Sequence, residues 1–486
     1  MELIILSLYT FALAVLSIFG LYGLVLVISY GRLRPCDPWR PELPADAELP
    51  RVTVQLPVFN ERYVVERLIE AVCTLDWPRD RLEIQVLDDS TDDTLELSRT
   101  VVERKRAEGY DIVLLHRTDR SGFKAGALKG GLAVASGEYV AIFDADFVPT
   151  AGFLRETLPH LMVDANLGMV QARWEHLNAG YSLLTRVQAM ALDAHFAMEQ
   201  QIRNRSRAFI NFNGTAGVWR AACIRDAGDW ESDTLTEDLD LSYRAQMRGW
   251  RFLYLNDVTV PAELPAEVNG LKLQQFRWTK GAIETAKKHL VEMWRSAQPL
   301  RVKLHATVHL TSNLVFPFIL FIALLNVPIV MVKKAHPELD LYFNLMAVFI
   351  VASISTFLFY LFAQRDLRLD WKRRMLLFPV FMASTMGLAV NNTRAVMEAL
   401  FNRKSDFKRT PKYNIVDKRD SWRGSRYRFA NVGGLTTAVE LALALYFLIG
   451  IGISVWLVEI AALPFQLLFL FGFGTAGVLS LKHARS

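Results

Sequence analysis

Apolar residues in this chain are gathered into five long runs, at 3–27, 310–332, 341–363, 438–458 and 461–481, while residues 35–300 contain no comparable run. A helix needs roughly 20 apolar residues to cross the hydrocarbon layer of a bilayer. The chain therefore divides into an amino-terminal transmembrane helix (1–34), a polar domain (35–300) and a carboxy-terminal transmembrane region (301–486). No Lys or Arg precedes the first run, and it is longer than the apolar core of a cleavable leader, so it reads as a retained helix. Arg32 and Arg34 follow it, and an excess of basic residues marks the cytoplasmic side. The short turn KKAHPELD joins the second and third runs into a hairpin, and the last two runs form another.

A shorter apolar stretch, 375–390, is about 16 residues long, which is little for a span. Arg365, Arg368, Lys372, Arg373 and Arg374 precede it, and residues 401–430 carry ten Lys/Arg against three Asp. Exporting that loop would break the basic-side tendency, so 375–400 is expected to lie along the cytoplasmic interface, with a further span as the alternative. This topology puts the amino terminus outside and the polar domain and carboxyl tail inside. A 52% hydrophobic composition fits an integral membrane protein. The net charge of +5 is modest and not concentrated, which argues against nucleic acid as a partner. The three cysteines, Cys36, Cys73 and Cys223, form no CxxC pair, so neither a disulfide framework nor a structural zinc site is expected.

Within the polar domain, short β-branched runs alternate with helical patterns. VTVQLPVFNE, LEIQVLDDS, DIVLLHR and EYVAIFDADF read as strands, with amphipathic segments between them. That alternation predicts an α/β domain built on a parallel sheet covered on both faces. Ligands in such folds lie beyond the carboxyl ends of the strands. Asn60 and Glu61, Asp88 and Asp89, and Asp144 and Asp146 all fall there. No GxGxxG or GxxxxGK[ST] occurs in this region, so dinucleotide and P-loop readings lack support.

Five constellations carry chemistry. FDADF is a D-x-D at a strand end. Alternate residues share a face of a strand, so Asp144 and Asp146 project together, and a hard divalent ion such as Mg²⁺ or Mn²⁺ would relieve their repulsion. LDDSTDDT packs four aspartates into eight residues; the following helix start accounts for some of them as caps, while Asp88 and Asp89 face ligand. Lys124 lies between glycines at a helix start, where a phosphate would be welcome, although a surface lysine reads equally well. Thr236, Glu237 and Asp238 open another helix, as caps or as a source of a general base. Gln274, Arg277 and Trp278 share one helical turn, bringing a phosphate-binding guanidinium next to a flat apolar face; a core tryptophan and a surface arginine are the plain alternative.

Taken in order, D, D-x-D, T/E-D and Q-x-x-R-W, these motifs resemble those of the processive family 2 glycosyltransferases, which include cellulose, chitin and hyaluronan synthases. The stretches VLDDSTD, KAGAL, YVAIFDADFVP, VQARW, FNGTAGVWR, TEDLDLSYRAQMRGW, ELPAE and QQFRWTKGA are most similar to the plant cellulose synthase-like A and C groups, which make mannan or glucomannan and the xyloglucan backbone. The likeness runs from about residue 52 to residue 295, and FKRTPK (407–412) resembles the family's gating-loop motif within 401–430.

The resemblance implies a GT-A, Rossmann-like domain that transfers a hexose from a nucleotide-sugar, UDP-glucose or GDP-mannose, to a growing β-linked polysaccharide. Phe59, Asn60 and Glu61 would form the nucleoside pocket. Asp88 and Asp89 would serve the donor, and Lys124, Asp144, Gln274 and Arg277 would serve its diphosphate. Asp146, with Asp144, would hold the metal. Asp238, beside Glu237, would be the base, and Trp278 would hold the acceptor sugar near Asn213, Gly214 and Thr215. Phe407, Arg409, Thr410 and Lys412 would belong to the gating loop. Phe147 stands where some cellulose synthases carry histidine, which removes any phosphate contact from that position. The expected setting is a plasma or Golgi membrane with the catalytic domain in the cytoplasm and lipids around the helices. The competing readings are a single transfer to a lipid acceptor and, from another class, a transporter or receptor with an inactive domain, for which Glu440 within an apolar run is the only argument.

Overall fold

The computed structural model describes residues 2–33, 39–405, 408–427 and 434–484. The polar domain is built on one seven-stranded sheet. Its strands are β1 (Val52–Val58), β2 (Leu82–Asp88), β3 (Asp111–His116), β4 (Tyr139–Ile142), β5 (Leu167–His176), β6 (Gly217–Arg220) and β7 (Arg251–Ala262), in the order β3-β2-β1-β4-β6-β5-β7. The first four positions are parallel, as the alternating pattern predicts. The sheet as a whole is mixed, because β6 runs antiparallel to both β4 and β5. The chain passes from β5 through the helices Leu183–Ala194 and Gln201–Arg205 and then the FNGTAG turn before it enters β6 between β4 and β5.

Both faces of the central strands are covered. Val52, Val54, Leu56, Ile84 and Val86 pack with the helices Val65–Cys73 and Thr94–Ala107 on one side, while Val140, Ile142, Leu128 and Trp219 form a second core on the other. Strands buried on both sides read as continuous apolar runs, as YVAI does; VTVQLPV alternates, but its polar Thr53 and Gln55 are fully buried as well. The strand in EYVAIFDADF ends at Ile142, four residues earlier than the apolar pattern suggests, so the D-x-D lies on the loop that follows.

Among the described residues, five helices are long and apolar enough to cross a membrane: Glu2–Arg32, Leu300–Ala335, Pro337–Leu367, Gly434–Trp456 and Ile460–Ala484. They match the five apolar runs. The second begins ten residues before its run, because its first turns pack against the polar domain, where Tyr243 Oη lies 2.8 Å from His309 Nδ1. Residues 375–400 are helical in two main pieces. Phe378–Gly387 packs on the last helix so closely that a Cβ on Gly387 would come within 2.4 Å of the Gly472 carbonyl oxygen, and Ala389–Leu400 packs along Val268–Arg295. The segments around 181–205 and 281–295, amphipathic in sequence, rest on these helices. Ala194, Met198 and Ile202 meet Leu26 and Ala363, and Ile283 meets Val396 and Ala399.

Candidate active site

A cavity opens beyond the carboxyl ends of β1, β2, β4, β5 and β7 and is closed on the far side by the Val268–Arg295 helix. Strand ends deliver Phe59, Glu61, Asp89, Asp144, Asp146, Trp174, His176 and Glu263 to it. The long helix supplies Gln274, Arg277 and Trp278, and the start of Glu237–Met247 supplies Glu237 and Asp238.

The D-x-D carboxylates are each held by a lysine. Lys124 Nζ donates to Asp144 Oδ1 at 2.5 Å and to the Gly214 carbonyl at 2.9 Å, and it lies 3.9 Å from Glu237. Burial pulls this ammonium toward neutrality, but Asp144 and Glu237 outweigh it and hold its pKa above the usual lysine value. Asp146 Oδ2 accepts from Lys412 Nζ at 2.7 Å. The Asp144 N–H donates to Thr215 Oγ1 at 2.9 Å, fixing the loop.

Glu237 and Asp238 sit together beneath Gly214. The Leu239 N–H donates to Asp238 Oδ1 at 2.8 Å, and a Cβ on Gly214 would lie 3.0 Å from Asp238 Oδ2. Only a residue with φ near +80° and no side chain leaves that carboxylate its room. Burial, followed by repulsion from Glu237, raises the Asp238 carboxyl above the ordinary carboxylate range, and burial raises Glu237. Two adjacent acids, one buried and one half-buried, cannot both ionise cheaply, so a proton acceptor of enhanced basicity results.

The end of the cavity at Phe59 is aromatic and cationic. The Arg120 guanidinium stacks 3.3 Å above the Phe59 ring centre. Arg117 grips Asp89 with two bonds of 2.8 and 2.6 Å. Trp278 stands 6.3 Å, ring centre to ring centre, from Trp174, which packs in turn on Phe147. Asn213 lines the cavity, its N–H bonded to Gln171 Oε1 at 3.0 Å.

Segment 408–427 reaches into the same cavity. Arg409 Nη1 lies 3.0 Å from Glu61 Oε2, Thr410 Oγ1 accepts from Arg277 Nη2 at 3.3 Å, and Lys412 joins Asp146. Phe407, named with them from the sequence, lies outside the described residues.

Three expected site residues lie elsewhere. Asp88 is fully buried beneath the site, accepting from the Ser90 N–H (2.8 Å), Ser90 and Ser98 hydroxyls (3.3 Å each) and 3.4 Å from His116 Nδ1, so it supports the loop rather than facing a ligand. Asn60, at φ +55°, turns away to bind Thr91 N–H and Ser90 Oγ. Thr215 is fully buried behind Asp144. Arg120, His176, Trp174 and Glu263 line the cavity without having been singled out; the shared stretches VQARW and ELPAE hold two of them, Trp174 and Glu263.

Oxygen-only donors facing a polar cavity suit a hard divalent ion, so Asp144 and Asp146 fit Mg²⁺ or Mn²⁺. Two other acid groups, Glu175–His176–Asp193 and Glu231–Asp233–Asp240, are compact enough to hold an ion among the described residues, but of their six residues only His176 lines the cavity. Arg368 lies 2.6 Å from Glu175 and Asp193, and Lys288 lies 2.6–2.9 Å from the other three.

The site thus gathers carboxylates and cations at the strand ends of a mixed sheet. Residues 50–281 match the family described as glycosyltransferase like family 2. The chain is 46% identical over 285 residues to glucomannan 4-beta-mannosyltransferase 1 of Oryza sativa subsp. japonica, covering 57% of this chain and 54% of that protein. It is 48% identical over 254 residues to glucomannan 4-beta-mannosyltransferase 2 of Arabidopsis thaliana, covering 51% and 48%. The chain thus spans about half the length of these curated relatives. Its fold is that of the mannosyltransferase PcManGT from Pyrobaculum calidifontis, solved with GDP-Man and Mn²⁺, at 20% identity and a TM-score of 0.54 over 82% of this chain and all of that one.

Proposed function

We propose that this protein is a membrane-embedded, inverting mannosyltransferase that extends a β-1,4-linked mannan or glucomannan chain from GDP-mannose on the cytoplasmic side. The observation that carries the reading is Asp238. It is a half-buried carboxylate of raised proton affinity, set beside Gly214 on the floor of a cavity that also holds the D-x-D, Arg277 and Trp278. Half-length identity of 46–48% to glucomannan 4-beta-mannosyltransferases supports mannose over glucose as the sugar.

In this scheme the acceptor's 4-hydroxyl loses its proton to Asp238 as its oxygen attacks the anomeric carbon from the face opposite the diphosphate. The bond from the anomeric carbon to the diphosphate oxygen breaks, and GDP leaves with the electron pair. One in-line displacement converts an α-linked donor into a β-linkage. Lys124 and Arg277 meet the charge developing on the diphosphate. A bound Mg²⁺ or Mn²⁺ on Asp146 and Asp144 supplies further Lewis-acid stabilisation of that charge. Trp278 and Trp174 offer apolar faces to the acceptor sugar, and the five apolar helices anchor the site at the membrane.

Detergent-purified protein offered GDP-mannose and UDP-glucose separately, with Mg²⁺ or Mn²⁺, tests the reading. Release of GDP with a long, β-mannanase-sensitive product is expected. Turnover only with an added lipid, giving a product one sugar larger, would replace it with a lipid-directed single transfer.

A further inference from the structure

Glu440 is the only charged residue in the apolar run 438–458, and the transfer chemistry gives it no task. Its side chain is fully buried, and Lys272 Nζ donates to its Oε2 at 2.6 Å. The same ammonium, itself 1% exposed, donates to Ser480 Oγ at 2.6 Å. Glu440 lies near the start of the spanning helix Gly434–Trp456, and Ser480 near the end of Ile460–Ala484. Lys272 belongs to Val268–Arg295, the helix that carries Gln274, Arg277 and Trp278. One lysine thus joins the helix of the candidate site to both arms of the last spanning hairpin. Its neighbours repeat the attachment. Asn269 Nδ2 donates to the Ser480 carbonyl at 3.2 Å, the Val268 N–H to His483 Nδ1 at 3.2 Å, and Asn391 Nδ2 to the Lys272 carbonyl at 3.0 Å.

An α-helix turns by about 100° per residue, so Gln274, Arg277 and Trp278 stand about 200°, 140° and 240° around the axis from Lys272. They occupy the side opposite the lysine. One face of the helix is pinned to the spanning hairpin, and the other lines the cavity. A buried ion pair is a poor source of stability, because desolvation consumes most of the attraction and an apolar pair of similar volume serves as well. What such a pair supplies here is register. Apolar contacts tolerate a small slide or rotation of one helix on another, whereas the same slip would strand an ammonium and a carboxylate in a low-dielectric interior.

We propose that the Lys272–Glu440 ion pair fixes the rotation and height of the Val268–Arg295 helix, which makes both of them positioning residues for Arg277 and Trp278. The inference rests on the roles that the proposed function gives those two residues. A charge inside a spanning run, which alone invites a transport reading, serves the transferase site.

The test uses the full-length protein in detergent and reads GDP release, product length, melting temperature and hydrogen exchange of peptides covering 273–280. Lys272→Met combined with Glu440→Gln removes both charges and strands neither. This double variant is expected to melt within a few degrees of wild type. It should lose about tenfold or more in kcat with donor KM changed less than about threefold, make shorter product, and exchange faster over 273–280. Glu440→Asp keeps the anion but withdraws it by one methylene, and a fall of about threefold in kcat is expected; it decides the matter should the double variant fail to fold. Turnover within about twofold of wild type in the double variant, or in Glu440→Asp where that variant decides, overturns the positioning role. So does a lowered melting temperature with full kcat in the folded fraction. Arg277→Ala is measured alongside: if it turns over like wild type while the double variant still exchanges faster over 273–280, the proposed function fails and the attachment stands.

Discussion

Gly214→Ala inserts one methyl group at the centre of the proposed chemistry. Gly214 has φ +80°, and the new Cβ would lie 3.0 Å from Asp238 Oδ2 and 3.3 Å from Lys124 Nζ. The backbone alone costs about 1–2 kcal/mol for an L-residue in that region. The contacts then require one or both functional groups to retreat by a few tenths of an ångström. Neither moves freely: the Leu239 N–H holds Asp238, and Asp144 with the Gly214 carbonyl holds Lys124. Displacement of a base by even part of an ångström lengthens the proton transfer and misaligns attack. The expected result is a loss of roughly 10–100-fold in kcat with donor KM changed less. Gly130 is the internal control. It lies in the helix Phe123–Val134, nothing stands within 4 Å of its added Cβ, and alanine there is expected to stabilise by about 0.5–1 kcal/mol without slowing turnover. Initial rates of GDP release and apparent melting temperatures in the same detergent read both. Gly214→Ala turning over within about twofold of wild type would refute the placement of the base beside this glycine.

Asp238→Asn is expected to lower the rate by about 10³-fold or more while leaving the melting temperature within a few degrees of wild type, since an amide fits the same space but accepts no proton. Asp88→Ala should do the reverse: it strands the Ser90 N–H and two hydroxyls in the interior, costs about 1–3 kcal/mol of stability, and leaves donor KM of the folded fraction unchanged. Glu61 gives a pH prediction. Burial pushes its carboxyl from the ordinary value of 4.5 up to about 8, against the opposing pull of Arg409. The folded state therefore binds this proton more tightly than the unfolded chain, so its contribution is full below about 4.5 and is lost as pH rises through 8. Melting temperature against pH should fall less steeply over that window in Glu61→Gln; parallel curves would sink the assignment. Trp278→Ala should shorten the product and slow elongation by about tenfold, and Trp278→Phe, which keeps a flat apolar face, should recover most of it.

The membrane helices and the parallel half of the sheet were legible because each is written in consecutive residues: run length for the spans, β-branched runs ending in carboxylates for β1, β2 and β4. The mixed direction of the sheet was not, since the antiparallel pairing of β6 with both β4 and β5 is not written in its four residues. Asp88 and Asp89 show a finer limit, and one that elementary geometry could have lifted. β2 ends at Asp88, and successive side chains on a strand point to opposite faces. Neighbouring aspartates therefore cannot both face the ligand, and the one followed by Ser90, a hydroxyl able to satisfy it, is the buried one. Asn60 fell the same way: its positive φ turns the side chain toward Thr91, where Glu61 turns into the cavity.

What lay furthest from local reading is the meeting of residues 409–412 with residues 61, 146, 263 and 277. Lys412 and Asp146 are 266 positions apart, and no periodicity links them. The basic character of 401–430 was visible, and topology alone could absorb it as charge on the cytoplasmic side of a membrane. The structure divides that charge in two. Arg419, Arg423 and Arg426 are exposed, as the topological reading expects, whereas Lys412 is buried against a carboxylate and Thr410 is buried beside Arg277. A cation surrendered to the interior is kept only where a fixed anion awaits it. The basic segment therefore holds charge of two separable kinds, one facing solvent and one neutralising a buried carboxylate.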